Sequence, residues 1–209
     1  DLGVDLEVFA SPLNSTFAYH CSAYPDTDSV FGSIGSFFDM KPVSGSYECN
    51  PPFVLKVMSS MVEHISHLLH NATGPMSFVV VVPRWEEAEY YRNLTALTTT
   101  TSSSSKNSSD ASSSMKGLGS YLQRTIVISK SEHGFCDGAA FQRQDRFRDS
   151  PYDTVLFILQ NPKATIKWPC DDQCEHRIRL GFRQGIPTEG MRLRQAKDGK
   201  GTAYECRGV

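Results

Sequence analysis

The stretch from Tyr47 to Val82 constrains the fold more tightly than any other part of the chain. Tyr47-Glu48-Cys49 reads as a short strand that runs straight into Asn50-Pro51-Pro52-Phe53. Proline carries no N–H and biases the residue before it toward extended geometry, so a strand ladder has to stop there. Apolar residues then recur at Val54, Met58, Met61, Ile65 and Leu68, steps of three or four that mark one face of an amphipathic helix. That helix should end near Asn71 to Pro75. Phe78 to Val82 follows as a continuous, mostly β-branched run, the pattern of a strand covered on both faces in a parallel sheet. A strand, a helix and a second strand make a right-handed crossover, which predicts that the two strands are parallel. The fold class is therefore α/β.

Around this unit the signals are weaker. Leu6 to Ala10 reads as another buried strand, leaving through Ser11, Pro12 and Leu13, with Asn14 and Ser15 as candidate helix caps. Tyr24 to Gly35 is loop-like, and Phe37-Phe38 leads to Asp39 as another short strand end. The segment after Pro83-Arg84-Trp85 is acidic, tyrosine-containing and helical in pattern. Thr125 to Ser129 and Thr154 to Gln160 read as two strands that pair antiparallel at one sheet edge. Thr98 to Ser114 is almost pure Thr and Ser, too polar to bury anything. The expected organisation is thus a core over residues 1–97, a disordered Ser/Thr-rich insertion over 98–117, the last core strands over 118–168, and a tail of unassigned structure over 169–209.

At 209 residues the chain holds one domain with a real core. Its formal net charge of -2 carries no global nucleic-acid signature, although Arg143, Arg146 and Arg148 cluster, as do Arg177, Arg179 and Arg183. No apolar run is long enough to cross a bilayer. The six cysteines are scattered, which favours reduced thiols, and the Asn-x-Ser/Thr triplets at Asn14, Asn71, Asn93 and Asn107 are read as chance in so Ser/Thr-rich a chain. The sequence begins at Asp1 with neither Met nor leader and reads as an excised piece.

The Asn50 to Phe53 turn also has a chemistry. In open α/β sheets ligands bind outside the carboxyl ends of the strands, and the Ser11 to Asn14, Asn50 to Phe53 and Pro83 to Trp85 turns all occupy such ends. A side-chain amide beside a stiffly held backbone carbonyl offers two acceptors converging on one point, next to an aromatic ring. That arrangement suits the exocyclic amine of a flat base. Adenine N6 is a poor nucleophile because its lone pair is delocalised into the ring; two acceptors holding its N–H groups pull it toward a tetrahedral shape. Phe53 would stack on the base and align it with an electrophilic methyl group. The competing reading makes Asn50 a helix cap and the prolines part of a first helical turn.

Taken in order, Phe9-Ala10-Ser11-Pro12-Leu13-Asn14, Tyr24-Pro25-Asp26-Thr27-Asp28, Phe31-Gly32-Ser33 and Ser44-Gly45-Ser46 leading into Asn50-Pro51-Pro52-Phe53 resemble the phosphorylated CTD-interacting factor family. Ser77-Phe78, Pro83, Trp85, Glu132-His133 and Val155-Leu156-Phe157 through Leu159-Gln160-Asn161 extend the likeness, which runs from about Leu6 to Trp168. The resemblance implies a class I, Rossmann-like methyltransferase core whose N-terminal part lies upstream, with a mixed, mostly parallel sheet flanked by helices. It implies S-adenosylmethionine as methyl donor, capped mRNA as partner, the N6 of a cap-adjacent 2′-O-methyladenosine as target, and a nuclear location. Asn50, Pro51, Pro52 and Phe53 would be catalytic; Glu7, Ser11, Asn14 and Asp39 are the candidates for the cofactor side. The WW domain through which family members bind the RNA polymerase II C-terminal tail has no recognisable counterpart here. Neither does a Gly-rich first-strand turn. The alternatives are a non-catalytic RNA- or cap-binding module of the same fold and an adenine N6-methyltransferase for another nucleic acid.

Other groupings are less specific. Cys170, Cys174, His176 and Cys206 are zinc-type ligands at irregular spacing, and His64, His67 and His70 step along one helix face. No metal site is expected from either. Glu132 and His133 are either a general acid–base pair or a polar loop pair. The Arg143 to Arg148 loop is either a phosphate contact or an exposed charged loop.

Overall fold

The computed structural model describes residues 2–96, 117–136 and 147–184. Strand β2 (Gly45–Cys49), helix α2 (Leu55–Asn71) and strand β3 (Met76–Pro83) form the predicted crossover, and β2 pairs parallel with β3 from Gly45↔Met76 to Cys49↔Val80. Strand β1 (Leu6–Glu7) pairs parallel on the outer side of β2. The other half of the sheet comes from β4 (Leu122–Ile128) and β7 (Thr154–Gln160). β7 lies antiparallel between β3 and β4, giving the order β1-β2-β3-β7-β4. This is an α/β architecture with a mixed, mostly parallel sheet flanked by helices, consistent with a class I methyltransferase core. The antiparallel pairing of β4 and β7 at one edge follows the sequence reading. β5 (Gly134–Cys136) and β6 (Phe147–Asp149) form a separate two-stranded antiparallel sheet.

Period-2 alternation in the central strands splits the core into two faces. Phe78, Val80, Val82 and Phe157 pack with Met58, Met61, Ile65 and Leu68 of α2 and with Tyr90 and Leu94 of α3 (Glu89–Thr95). Val79, Val81, Ile126 and Ile158 face the other way, toward Leu2 and toward Cys174, Ile178 and Phe182 of α5 (Asp172–Gln184). All eight residues of β3 are buried, which explains its unbroken apolar run. Helix α4 (Pro162–Lys167) is capped by Asn161, whose Oδ1 accepts from Ala164 N at 2.9 Å and from Met76 N at 3.1 Å while its Nδ2 donates to Gly74 O at 2.8 Å. One side chain thus joins the end of β7 to the start of β3.

Several expectations are corrected. The strand over Leu6 to Ala10 is regular only at Leu6–Glu7, because the backbone bends after Glu7 and Ala10 N donates instead to Cys21 O at 2.9 Å. Asn14 and Ser15 cap no helix: Asn14 Oδ1 accepts from Ser11 N at 2.7 Å and Ser11 Oγ at 2.9 Å, closing a local turn. A four-residue helix α1 (Pro25–Asp28) interrupts the loop after Tyr24. Phe37–Asp39 is a 3-10 turn rather than a strand end, since Ser36 Oγ accepts from Phe38 N at 3.3 Å. Helix α4 closes the 118–168 segment, and the start of the tail over 169–209, left unassigned by its weak pattern, holds α5. The Thr98 to Ser114 segment, Arg143, Arg146 and Cys206 lie outside the described residues.

Candidate active site

The carboxyl ends of β1, β2, β3 and β4 share one rim. Because β7 runs the other way it begins there too, with Thr154 opposite both Pro83 and Ile128. Asn50 leaves β2 at this rim with its side chain exposed, Pro51 is buried, Pro52 is exposed and Phe53 is half-buried. Helix α2 starts only at Leu55, with Val54 as its N-cap and no side-chain cap. The capping role considered for Asn50 is therefore excluded. The turn is closed by its own backbone, Val54 N donating to Pro52 O at 2.7 Å.

Two aromatic rings from other segments pack on Phe53, and a third packs behind one of them. Phe135 stands edge-on to it at 6.0 Å and Tyr152 at 5.7 Å, and Tyr152 in turn meets Trp85 at 5.5 Å. Such edge-on pairs are the favoured geometry for interacting quadrupoles. The Trp85 turn is held in place by Arg84 N donating to Asp153 O at 2.8 Å and by the buried Tyr90 hydroxyl donating to Pro83 O at 2.7 Å. Sequence reasoning placed Trp85 near the turn and missed Phe135 and Tyr152. A signal for Tyr152 existed: an antiparallel strand at Thr154 must enter from the rim where its neighbours end.

Glu7 ends β1 at the same rim, buried, in register with Glu48 of β2. Its Oε1 accepts from Thr16 N at 3.1 Å and from the Thr16 hydroxyl. Burial and then the Glu7 charge push the Glu48 carboxyl up to about 7. Ser11 and Asn14 lie just beyond β1 but turn their polar groups on each other. Asp39 is exposed beside α2, where its charge acts on His64; burial is the larger influence there and holds that imidazole below its ordinary value. The four cofactor-side candidates thus divide, Glu7, Ser11 and Asn14 at the β1 exit and Asp39 toward α2.

His133 is buried, with Nδ1 2.8 Å from Ser129 O and Nε2 2.7 Å from Thr154 Oγ1. A carbonyl only accepts, so Nδ1 carries the proton and Nε2 accepts from the threonine. Glu132 pairs with Arg183 of α5. Neither member of the pair is free to act as a base. Cys170 and Cys174 are free thiols, as are Cys21 and Cys49, and burial pushes Cys21 and Cys170 up to about 12. His67 and His70 are exposed on α2. Among the described residues no group of three His, Cys, Asp or Glu side chains could hold a metal ion, and no helix is long and apolar enough to cross a membrane.

A family model described as "Phosphorylated CTD interacting factor 1 WW domain" matches residues 1–115. The described part of that segment carries β1, β2, α2 and β3, the parallel half of the sheet. A human protein named mRNA (2′-O-methyladenosine-N(6)-)-methyltransferase is 33% identical over 184 residues, which is 87% of this chain and 23% of that protein. A mouse protein of the same name is 35% identical over 190 residues, 90% of this chain and 24% of its own length. The chain thus spans about a quarter of the curated relatives it matches. With more than half of its residues matched by the family model and most of its length aligned to these relatives, the chain belongs to the phosphorylated CTD interacting factor 1 family.

Proposed function

We propose that this chain supplies the acceptor-binding part of an S-adenosylmethionine-dependent N6-methyltransferase acting on adenosine in mRNA, specifically the 2′-O-methyladenosine next to the cap. The observation that carries the reading is the Asn50 to Phe53 turn: it stands clear of α2, leaves the Asn50 amide exposed at the carboxyl end of β2, and sets Phe53 within a group of aromatic rings. The names of the human and mouse relatives support the substrate assignment.

In this reading the Asn50 side-chain oxygen and the backbone carbonyl beside it accept the two N–H groups of adenine N6, which localises the nitrogen lone pair. Phe53 fixes the plane of the base, with Pro51 and Pro52 keeping the turn rigid. Bound S-adenosylmethionine supplies an electrophilic methyl group carried on a cationic sulfur. Glu7 and Glu48 fit a cationic donor, since the carboxyls share one face of the sheet beside the catalytic turn. Ser11 and Asn14, whose polar groups bond each other, would meet the donor's polar end only by reopening that turn, and Asp39 would approach it from the α2 side. The proton lost from N6 passes to solvent; no side chain is needed to remove it before transfer. A nuclear site of action and contact with the RNA polymerase II tail follow if the full-length protein works as its family name indicates.

The test is methyl transfer by the full-length protein to capped RNA beginning with 2′-O-methyladenosine, set beside uncapped RNA and duplex DNA. Transfer confined to the capped RNA is expected. Equal transfer to DNA would replace the substrate, and cofactor binding without transfer to any of the three would leave a binding module.

A further inference from the structure

We infer that His133 is a positioning residue for the acceptor site, through which α5 sets the stance of Phe135 against Phe53; the inference rests on the acceptor reading above. His133 lies between the end of β4 and the start of β5, only 2% exposed. Three hydrogen bonds and two ring contacts converge on it. Its Nδ1 donates to Ser129 O at 2.8 Å, its Nε2 accepts from the Thr154 hydroxyl at 2.7 Å, and its own carbonyl accepts from Ser150 N at 3.4 Å. Its ring stands edge-on between Phe182 of α5 at 5.7 Å and Phe135 at 5.5 Å. Phe135 then meets Phe53 at 6.0 Å. A chain of rings therefore runs Phe182–His133–Phe135–Phe53 from α5 to the catalytic turn.

The far end of this chain is anchored. Arg179 Nη1 donates to Val127 O at 2.8 Å, Arg183 pairs with Glu132 next to His133, and Glu175 takes Arg124 at 2.6 Å and Arg179 at 2.8 Å. Helix α5 is thus fixed to β4 along the face opposite α2, and its last turn reaches Glu132 in the loop that leads to Phe135. Both hydrogen bonds of the imidazole go to protein groups, so it has no chemistry to offer a substrate. What it can do is hold a direction. The Thr154 bond ties it to the sheet, and the Ser129 bond fixes the tautomer and with it the direction of the Thr154 bond.

The experiment compares full-length wild type with His133→Phe, Phe135→Leu, the double variant, and Thr154→Val as an isosteric change made from the partner side. The readouts are kcat and KM for capped RNA, S-adenosylmethionine Kd by calorimetry, and Tm. His133→Phe and Phe135→Leu are each expected to lower kcat/KM for RNA about tenfold or more, with cofactor Kd unchanged within about twofold. The double variant should be little worse than the worse single, because both changes break one path. Thr154→Val should shift the same parameters in the same direction. Effects of the two single changes that multiply, or a loss of cofactor affinity in step with RNA turnover, would overturn the positioning role. Wild type that binds cofactor and methylates no RNA would overturn the acceptor reading and this inference together, whereas an active wild type with unaffected variants overturns only this inference.

Discussion

Glu48 gives the sharpest measurement on the isolated chain. Its carboxyl, ordinarily near 4.5, is pushed up to about 7, by burial first and by the charge of Glu7 second. A group whose folded-state value is raised stabilises the fold fully below its unfolded value and loses that contribution as pH climbs through the folded one. Between 4.5 and about 7 the unfolded chain releases this proton and the folded chain retains it, so stability should fall across that window and level off above it. At 1.36 kcal/mol per pH unit the whole window is worth about 3 kcal/mol; relaxation of a carboxyl that keeps some contact with water brings the expectation to about 1–3 kcal/mol. Glu48→Gln keeps the shape and removes the titration. Urea unfolding of the 209-residue chain at about pH 5 and about pH 8 should therefore show the variant gaining about 1–3 kcal/mol on wild type between the two conditions. A variant-to-wild-type difference that is the same at both pH values would refute the buried-carboxyl argument.

Three further outcomes follow. Asn50→Ala in the full-length protein should lower kcat for RNA methylation by about a hundredfold or more, the size seen when one preorganised hydrogen-bonding group is removed from a reacting centre, with cofactor Kd from calorimetry unchanged; near-normal turnover would remove Asn50 from the chemistry. Ile65→Ala, at a fully buried position on α2, should cost about 2–5 kcal/mol by chemical denaturation. Asn161→Ala removes a helix cap and strands both Met76 N–H and Gly74 C=O, so about 2–4 kcal/mol should be lost in the same assay. Asn161→Asp should recover the acceptor half of that loss and leave the Gly74 carbonyl without its donor.

The parts of the fold that were legible in the sequence are those where local pattern and tertiary position agree. The steps from Met58 to Leu68 gave α2 because that apolar face is the face that packs, while Val54, the first step of the pattern, is the exposed N-cap; Phe78 to Val82 gave β3 because both its faces are covered. Legibility failed where a single side chain decides the outcome. Asn14 looks like a cap and is spent on Ser11; the Phe37-Phe38 pair looks like a strand and is turned by Ser36. Helix α5 was missed because its apolar face is thin, with Cys174, Ile178 and Phe182 on a helix otherwise rich in charge. Its ion pairs to Arg124 and Glu132 join residues about fifty positions apart, which no local window can see. At the site, the Asn50 to Phe53 turn was readable because proline stiffness is a local property. Its aromatic surroundings come from distant segments that only the reversed direction of β7 brings to the rim.

That reversal has a consequence for how such a protein can change. With β7 running back between β3 and β4, the connection from Ile128 to Thr154 starts and finishes at the rim where β2 and β3 release their own turns. Its length and contents can drift without shifting the register of the five-stranded sheet, as long as Ser129, His133 and Thr154 keep their bonds. The sheet and the Asn50 turn would then act as a constant socket and that connection as an exchangeable faceplate, so, on the function proposed above, differences in acceptor choice should accumulate there first.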